Sequence, residues 1–133
     1  MSRPVRVLLD TSVIIDLASV ELGVHESAEP AVSAVSVAEL AFGLDIDDPI
    51  ERRARAERYR AVREQFAVLA FDSQAAEIYG TMAVVIRRAG RNPRFRRTDL
   101  QIAATAVSHS ILLITRDLDG FVGLERLLDV VVV

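Results

Sequence analysis

The sequence predicts an α/β protein, a three-layer α/β/α sandwich around a central parallel sheet. Two observations carry that prediction. Short apolar runs, such as Val5-Arg6-Val7-Leu8-Leu9 and Ile111-Leu112-Leu113-Ile114-Thr115, alternate with longer segments of helical pattern, the order expected of parallel strands joined by right-handed crossovers. Acidic residues fall where strands give way to helices: Asp10, Glu39, Asp99 and Asp117. In an open parallel sheet the carboxyl ends of the strands and the adjoining helix starts share one edge, where ligands bind.

Taken in order, residues 5–9 form a buried strand, and Thr11-Ser12 start a short apolar helix from Val13 to Ala18. Residues 19–31 show no clear period. Val32 to Val35 make the second strand, and Ser36-Val37-Ala38-Glu39 has the form of a capping box for a helix running through Ala41. Asp45-Ile46-Asp47-Asp48-Pro49 is a polar break before a helix from Ile50 to Phe66. On a helical wheel, Ile50, Ala54 and Ala61 share its apolar face, with Arg52, Arg53, Arg60 and Arg63 opposite. Val68 to Phe71 make a third strand. The helix that follows carries Ala75, Ile78, Tyr79, Met82, Val85 and Ile86 at core spacing and ends near Gly90. Thr98-Asp99-Leu100-Gln101 reads as a second capping box, with Leu100, Ala103, Ala104 and Val107 inward. Ile111–Thr115 and Val130–Val133 complete the strands.

Composition narrows the chemistry. The 133 residues fit one domain, 1–133, with enough apolar content to bury a core. No apolar run approaches the ~20 residues that span a bilayer, and Met1-Ser2-Arg3-Pro4 leads into the first strand without a signal-peptide core. A cytoplasmic protein without membrane attachment is expected. There is no cysteine, which removes disulfides, thiolate catalysis and zinc–cysteine sites. All 16 basic residues are arginine, which removes the P-loop and every Schiff-base mechanism.

The net charge of −3 conceals an asymmetry. Residues 87–97 hold six arginines and no acid, and residues 50–66 hold six arginines against three glutamates. A polyanion would meet these segments while the acids work on it. In the first of them Arg91, Arg94, Arg96 and Arg97 are candidates to grip phosphates, and Phe95 to stack on an unpaired base.

Any one acid has an ordinary explanation as a cap or a turn former. Four at one edge would repel one another unless a cation neutralised them, which points to a hard, oxygen-ligated metal such as Mg²⁺ or Mn²⁺. Asp119, two residues past Asp117, is a further candidate ligand. Asp16, six residues beyond the strand end, reads as structural or solvated instead. Thr11, Ser12 and Thr115 lie beside the acids and would supply supporting hydroxyls. His25 and His109 are the two histidines, and neither is placed for acid–base catalysis, which favours a metal mechanism over a histidine one.

The segments Leu8-Leu9-Asp10-Thr11-Ser12-Val13-Ile14-Ile15-Asp16, Ser36-Val37-Ala38-Glu39-Leu40, Arg97-Thr98-Asp99-Leu100-Gln101-Ile102-Ala103-Ala104-Thr105-Ala106 and Leu113-Ile114-Thr115-Arg116-Asp117 resemble, in order and spacing, the four signature segments of the PIN domain. The likeness is strongest to VapC-type toxins of bacterial toxin–antitoxin pairs and runs from about Val5 to the C-terminus. It implies an Mg²⁺- or Mn²⁺-dependent endoribonuclease whose Asp10, Glu39, Asp99 and Asp117 bind metal and cut RNA, leaving a 5′-phosphate and a 3′-hydroxyl. It also implies a cognate antitoxin and a homodimer. One departure is that the last acid, in Asp119-Gly120-Phe121, stands one position away from the usual pattern. The competing expectation is a degenerate PIN-like module that binds RNA or protein without cutting. A phosphoacceptor receiver would need a lysine, and a dehalogenase-like phosphatase would need an acid at position 12.

Overall fold

The computed structural model describes residues 5–17 and 20–133. Five strands form one sheet: β1 (Arg6–Leu9), β2 (Glu29–Ser33), β3 (Ala67–Leu69), β4 (Leu112–Thr115) and β5 (Val130–Val132). Their spatial order is β3-β2-β1-β4-β5, and every pairing is parallel. The chain runs outward from β1 through β2 to β3, then crosses back to place β4 on the other side of β1. The reversal between β1 and β4 is the topological switch point of an open α/β sheet.

The helices are α1 (Thr11–Ile15), α2 (Ala34–Phe42), α3 (Pro49–Gln65), α4 (Ser73–Arg88) and α5 (Arg97–Ser108). Two apolar clusters cover the two faces of the sheet. One packs α4 and α5 through Met82, Ile86, Leu100, Ala103 and Ala104 onto Leu8, Ala31 and Leu113. The other packs Val13, Ile14 and Val62 onto Val7, Leu9, Val32 and Ile114. Successive strand residues thus point to opposite layers, as the pleat requires when both faces are covered. Helix α5 is enclosed on most sides, with Leu100 and residues 102–106 all buried, so its first turn, which carries Asp99, has a rigid base.

Several boundaries differ from expectation. The second strand begins at Glu29 and the turn into α2 comes at Ser33, whose hydroxyl accepts from Val35 N at 3.0 Å. Ser36 is therefore inside the helix and caps nothing. Helix α5 starts at Arg97 with no side-chain cap, so the box expected at Thr98–Gln101 does not form. Asp48 caps α3 by accepting from Ile50 N, with Pro49 in the first turn. The wheel misjudged α3: Ile50 is 82% exposed, Ala54 is exposed, and the buried contact is Val62. Alanine and arginine stems dominate that helix, and the wheel has little apolar weight to follow. The third strand is shifted to Ala67–Leu69. The C-terminus expected for α1 at Ala18 lies outside the described residues, as does the segment Met1–Pro4. Gly90 does end α4, with φ +82 and Arg91 N donating to Ile86 O at 3.1 Å, a Schellman closure that asks for a left-handed residue. Among the described residues no helix is long and apolar enough to cross a membrane.

Candidate active site

The strand register sets the site. Leu9 is aligned with Val32 on one side and Ile114 on the other, so Asp10, Ser33 and Thr115 emerge side by side at the carboxyl edge. Asp10 sits on the middle strand at the switch point. It is the N-cap residue of α1 by backbone conformation, but its side chain makes no capping bond. It is buried, at 6% exposed, and its Oδ2 accepts the hydroxyls of Ser12 and Thr115, each at 2.8 Å. Charge-assisted bonds of this kind are the stronger class and hold the carboxylate in one orientation. Oδ1 accepts none of these bonds, and no buried side-chain oxygen among the described residues lacks a partner; Oδ1 is the oxygen left to the pocket.

Glu39 projects from the middle of α2 and accepts the Thr11 hydroxyl at 2.7 Å. A hydroxyl has one proton. Thr11 donates it to Glu39, so the buried Ser36 is the donor in the 2.9 Å contact between the Ser36 and Thr11 hydroxyls. Asp117 follows β4 and caps the 3-10 turn Leu118–Phe121, accepting Asp119 N on Oδ1 at 3.0 Å. Its amide donates to the Thr115 hydroxyl at 3.1 Å. The hydroxyls of Thr11, Ser12 and Thr115 thus all donate to acids of the site, and Arg116 N completes the Ser12 hydroxyl's bonding at 3.1 Å.

Asp10, Glu39, Asp99 and Asp117 line one pocket of about 280 Å³, together with Thr11, Ser12, Ile15 and Gly120. The Asp99 carboxyl is pushed up from its ordinary 3.8 to about 6, first by burial and then by Asp10 and Glu39, with Asp117 adding to them against the opposing pull of Arg96. Asp99 lies in the first turn of α5, where the helix dipole favours negative charge. The shift therefore reports burial first and the pressure of the other acids second, both outweighing the dipole and Arg96. The acids surround a pocket and do not meet at a point: among the described residues, no three acidic or imidazole groups are placed to share one ion. The donor chemistry, all oxygen, with hydroxyls turned onto the acids and no cationic side chain among the described residues lining the pocket, is that of a hard divalent cation.

Asp119 is exposed and does not line this pocket; its amide serves the cap on Asp117. Asp16 lies 3.8 Å from the Arg116 Nε, an exposed ion pair. His25 and His109 also lie outside the pocket lining. Of the basic loop, Arg91, Arg94, Phe95 and Arg97 are exposed, Phe95 at 88%. Arg96 departs from the reading that groups it with them. Its guanidinium is turned inward and donates to three main-chain carbonyls, Asp119 O at 2.8 Å, Val122 O at 2.9 Å and Gly120 O at 3.1 Å. Burial and the neighbouring Arg91 lower its pKa, with Asp99 pulling the other way.

Arg96 thus clamps the 118–122 turn, and Gly120 of that turn lies against Asp99. A Cβ at Gly120 would stand 2.5 Å from Asp99 Oδ2 and 2.9 Å from its Cγ. Sequence reasoning missed Gly120 and Ser36. Ser36 had a signal, since it precedes Glu39 by one helical turn and shares its face. Gly120 had none, because its need for a missing side chain comes from a contact with α5.

The chain belongs to the PIN domain family, whose model matches residues 7–127. Ribonuclease VapC4 of Mycobacterium tuberculosis is 32% identical over 117 residues, covering 86% of this chain and 88% of that protein. The crystal structure of VapBC-5 from Mycobacterium tuberculosis, a member of the VapBC family of toxin–antitoxin systems, superposes with a TM-score of 0.78 at 30% identity, over 98% of each chain. The crystal structure of FitAcB from Neisseria gonorrhoeae superposes with a TM-score of 0.69 at 27% identity, over 93% of this chain and 95% of that one.

Two outcomes follow for the folded protein. The Asp99 carboxyl has a folded pKa above its unfolded one, so its ionisation costs stability, a cost absent near pH 4 and complete above about pH 6. With solvent screening at a half-open pocket the cost is about 1 kcal/mol. Asp99→Asn in chelator is expected to melt about 4 °C higher than wild type at pH 7.5 and to lose that advantage at pH 4; an advantage independent of pH would refute the account. Gly120→Ala is expected to destabilise by about 1–2 kcal/mol through its collision with Asp99. In a double-mutant cycle Asp99→Ala should recover most of that loss, whereas strictly additive losses would place the strain elsewhere.

Proposed function

We propose that this chain is a divalent-metal-dependent endoribonuclease, the toxin of a toxin–antitoxin pair, in which Asp10, Glu39, Asp99 and Asp117 hold Mg²⁺ or Mn²⁺. The observation that carries this reading is the gathering of four acids from four remote segments around one pocket at the switch point of the sheet, with Asp99 driven up to about 6 by burial and by the others. The relative called a ribonuclease and the VapBC neighbour support the activity and the pairing with an antitoxin.

The chemistry such a cation supplies when bound is acidification of water and compensation of negative charge building on the scissile phosphate. The chain's own groups do the placing. Asp10, buried and held by two hydroxyls, is the fixed ligand of the set. Glu39, exposed on α2 and steadied by Thr11, and Asp117, exposed after β4, can adjust around it. Asp99 faces them from α5, backed by Gly120. RNA reaches the acids along the loop that precedes Asp99, where Arg91, Arg94 and Arg97 contact phosphates and Phe95 stacks on a base. Phe95 is 88% exposed, so its ring face is free to stack. Arg96 stays with the 118–122 turn. Cleavage leaves a 5′-phosphate and a 3′-hydroxyl.

Purified protein is expected to cut single-stranded RNA with added Mn²⁺ or Mg²⁺, to stop with chelator, and to lose about a hundredfold or more of its rate as Asp10→Asn or Asp99→Asn. RNA that is bound and never cut under these conditions would turn the reading toward a non-catalytic module. Arg94→Ala combined with Arg97→Ala is expected to flatten the salt dependence of RNA binding by about 1.4 logarithmic units, roughly 0.7 per phosphate contact on a single strand. An unaltered slope would remove the loop from the RNA path.

A further inference from the structure

A second cavity, of about 310 Å³, opens beside the acidic pocket and shares Thr11, Ile15 and Glu39 with it. Its remaining walls are Leu40 and Gly43 at the end of α2 and Glu51, Arg55 and Arg58 on α3. The two arginines differ in what they are free to do. Arg55 braces the helices, its Nε on Glu51 at 3.0 Å and its Nη1 on the Gly43 carbonyl at 2.9 Å. Arg58, one turn later and half-buried, forms no ion pair among the described residues. A partly desolvated guanidinium without an acid is a place for an external anion, and its planar fork suits phosphate. Ile15 is 48% exposed beside it, and with Leu40 gives the cavity an apolar wall.

We infer that this cavity is the subsite for the nucleotide next to the scissile phosphate, with Arg58 taking that nucleotide's phosphate and Ile15 and Leu40 lying against its base. The inference rests on the ribonuclease reading and adds to it where base preference is decided. Continuity with the acidic pocket carries it: a strand whose phosphate lies among the acids must pass a neighbouring nucleotide over Thr11 and Glu39 or over Asp99 and Gly120. The second side leads to the 87–97 loop, which is open and arginine-lined. The first leads into this more sheltered space, where Arg58, without an ion pair among the described residues, and the apolar wall match a nucleotide's phosphate and base. The volume lies in the range of small-ligand pockets, ~300–1,000 Å³. Shape selection therefore belongs on the α2–α3 side, and general backbone attraction on the other.

The test uses a 5′-fluorescein RNA of randomised sequence with Mn²⁺, comparing wild type, Arg58→Gln and Leu40→Trp, each checked for folding by circular dichroism. Arg58→Gln is expected to raise KM about tenfold with kcat within about threefold. Leu40→Trp, which fills the cavity, is expected to change the base found on one side of the cut when the ends are sequenced. Unchanged KM and an unchanged base distribution in both variants would overturn the subsite, as would a defect in kcat alone. Arg58→Gln that leaves RNA handling intact but weakens a protein partner would assign the cavity to that partner and equally overturn it. Should wild type bind this RNA without cutting it, the nuclease reading fails separately. Anisotropy then decides the subsite: about tenfold weaker binding by Arg58→Gln retains it, and equal binding rejects it.

Discussion

Like charge concentrated at one edge of a parallel sheet is the constraint that the rest of this molecule accommodates. Four carboxylates around one pocket repel, and Asp99, half-buried among them, is pushed up to about 6 by burial first and by that repulsion next. Such a cluster persists only because the surrounding fold is rigid enough to hold it. Two apolar layers clamp the sheet, and α5 is buried along most of its length. Asp99 does not stabilise the protein when ionised; the core tolerates it. That is the usual relation between a charged functional site and its scaffold.

What makes the cluster orderly is its shell of hydroxyls. Ser12 and Thr115 both give their protons to one oxygen of Asp10, Thr11 gives its proton to Glu39, and Ser36 donates to Thr11 in turn. The arrangement follows from register. Parallel pairing sets Leu9 level with Ile114, so Thr115 leaves β4 beside Asp10 as it leaves β1. A shift of one residue would turn Thr115 to the opposite layer and deprive Asp10 of a donor. Hydroxyls suit this task because they deliver a proton to a carboxylate without adding positive charge to a pocket that has to attract a cation.

The two flanks of the pocket are built differently. On the α5 side, Arg96 ties three carbonyls of the 118–122 turn and thereby seats Gly120 against Asp99, while its neighbours Arg94, Phe95 and Arg97 stay in water. On the α2 side, Arg55 braces α3 to the end of α2, and Arg58 stands over the neighbouring cavity without an ion pair among the described residues. In each case adjacent arginines have divided into one that builds the wall and others that remain available. Residue type cannot reveal that division, since a guanidinium serves carbonyls, carboxylates and phosphates alike.

The alternation of apolar runs with helical segments was enough by itself to establish the parallel α/β architecture, because strands covered on both faces must be nearly continuous in apolar residues. The same pattern put Asp10, Glu39, Asp99 and Asp117 at one edge, since the carboxyl ends of parallel strands share it. Local signals did less well wherever a three-dimensional contact outweighed them. Ser36 looked like a cap and became a buried hydroxyl beneath Thr11, because Ser33 had already closed the turn. Arg96 looked like one of a row of phosphate contacts and became a clamp, because the 118–122 turn folds back over it. Gly120 carried no sign at all, its lack of a side chain being required by a carboxylate 21 residues earlier in the chain. Periodicity and strand ends are properties of a segment, legible in its own residues. Which hydroxyl meets which acid, and which arginine is spent on the backbone, depends on segments far apart in sequence and was decided only when the sheet brought them together.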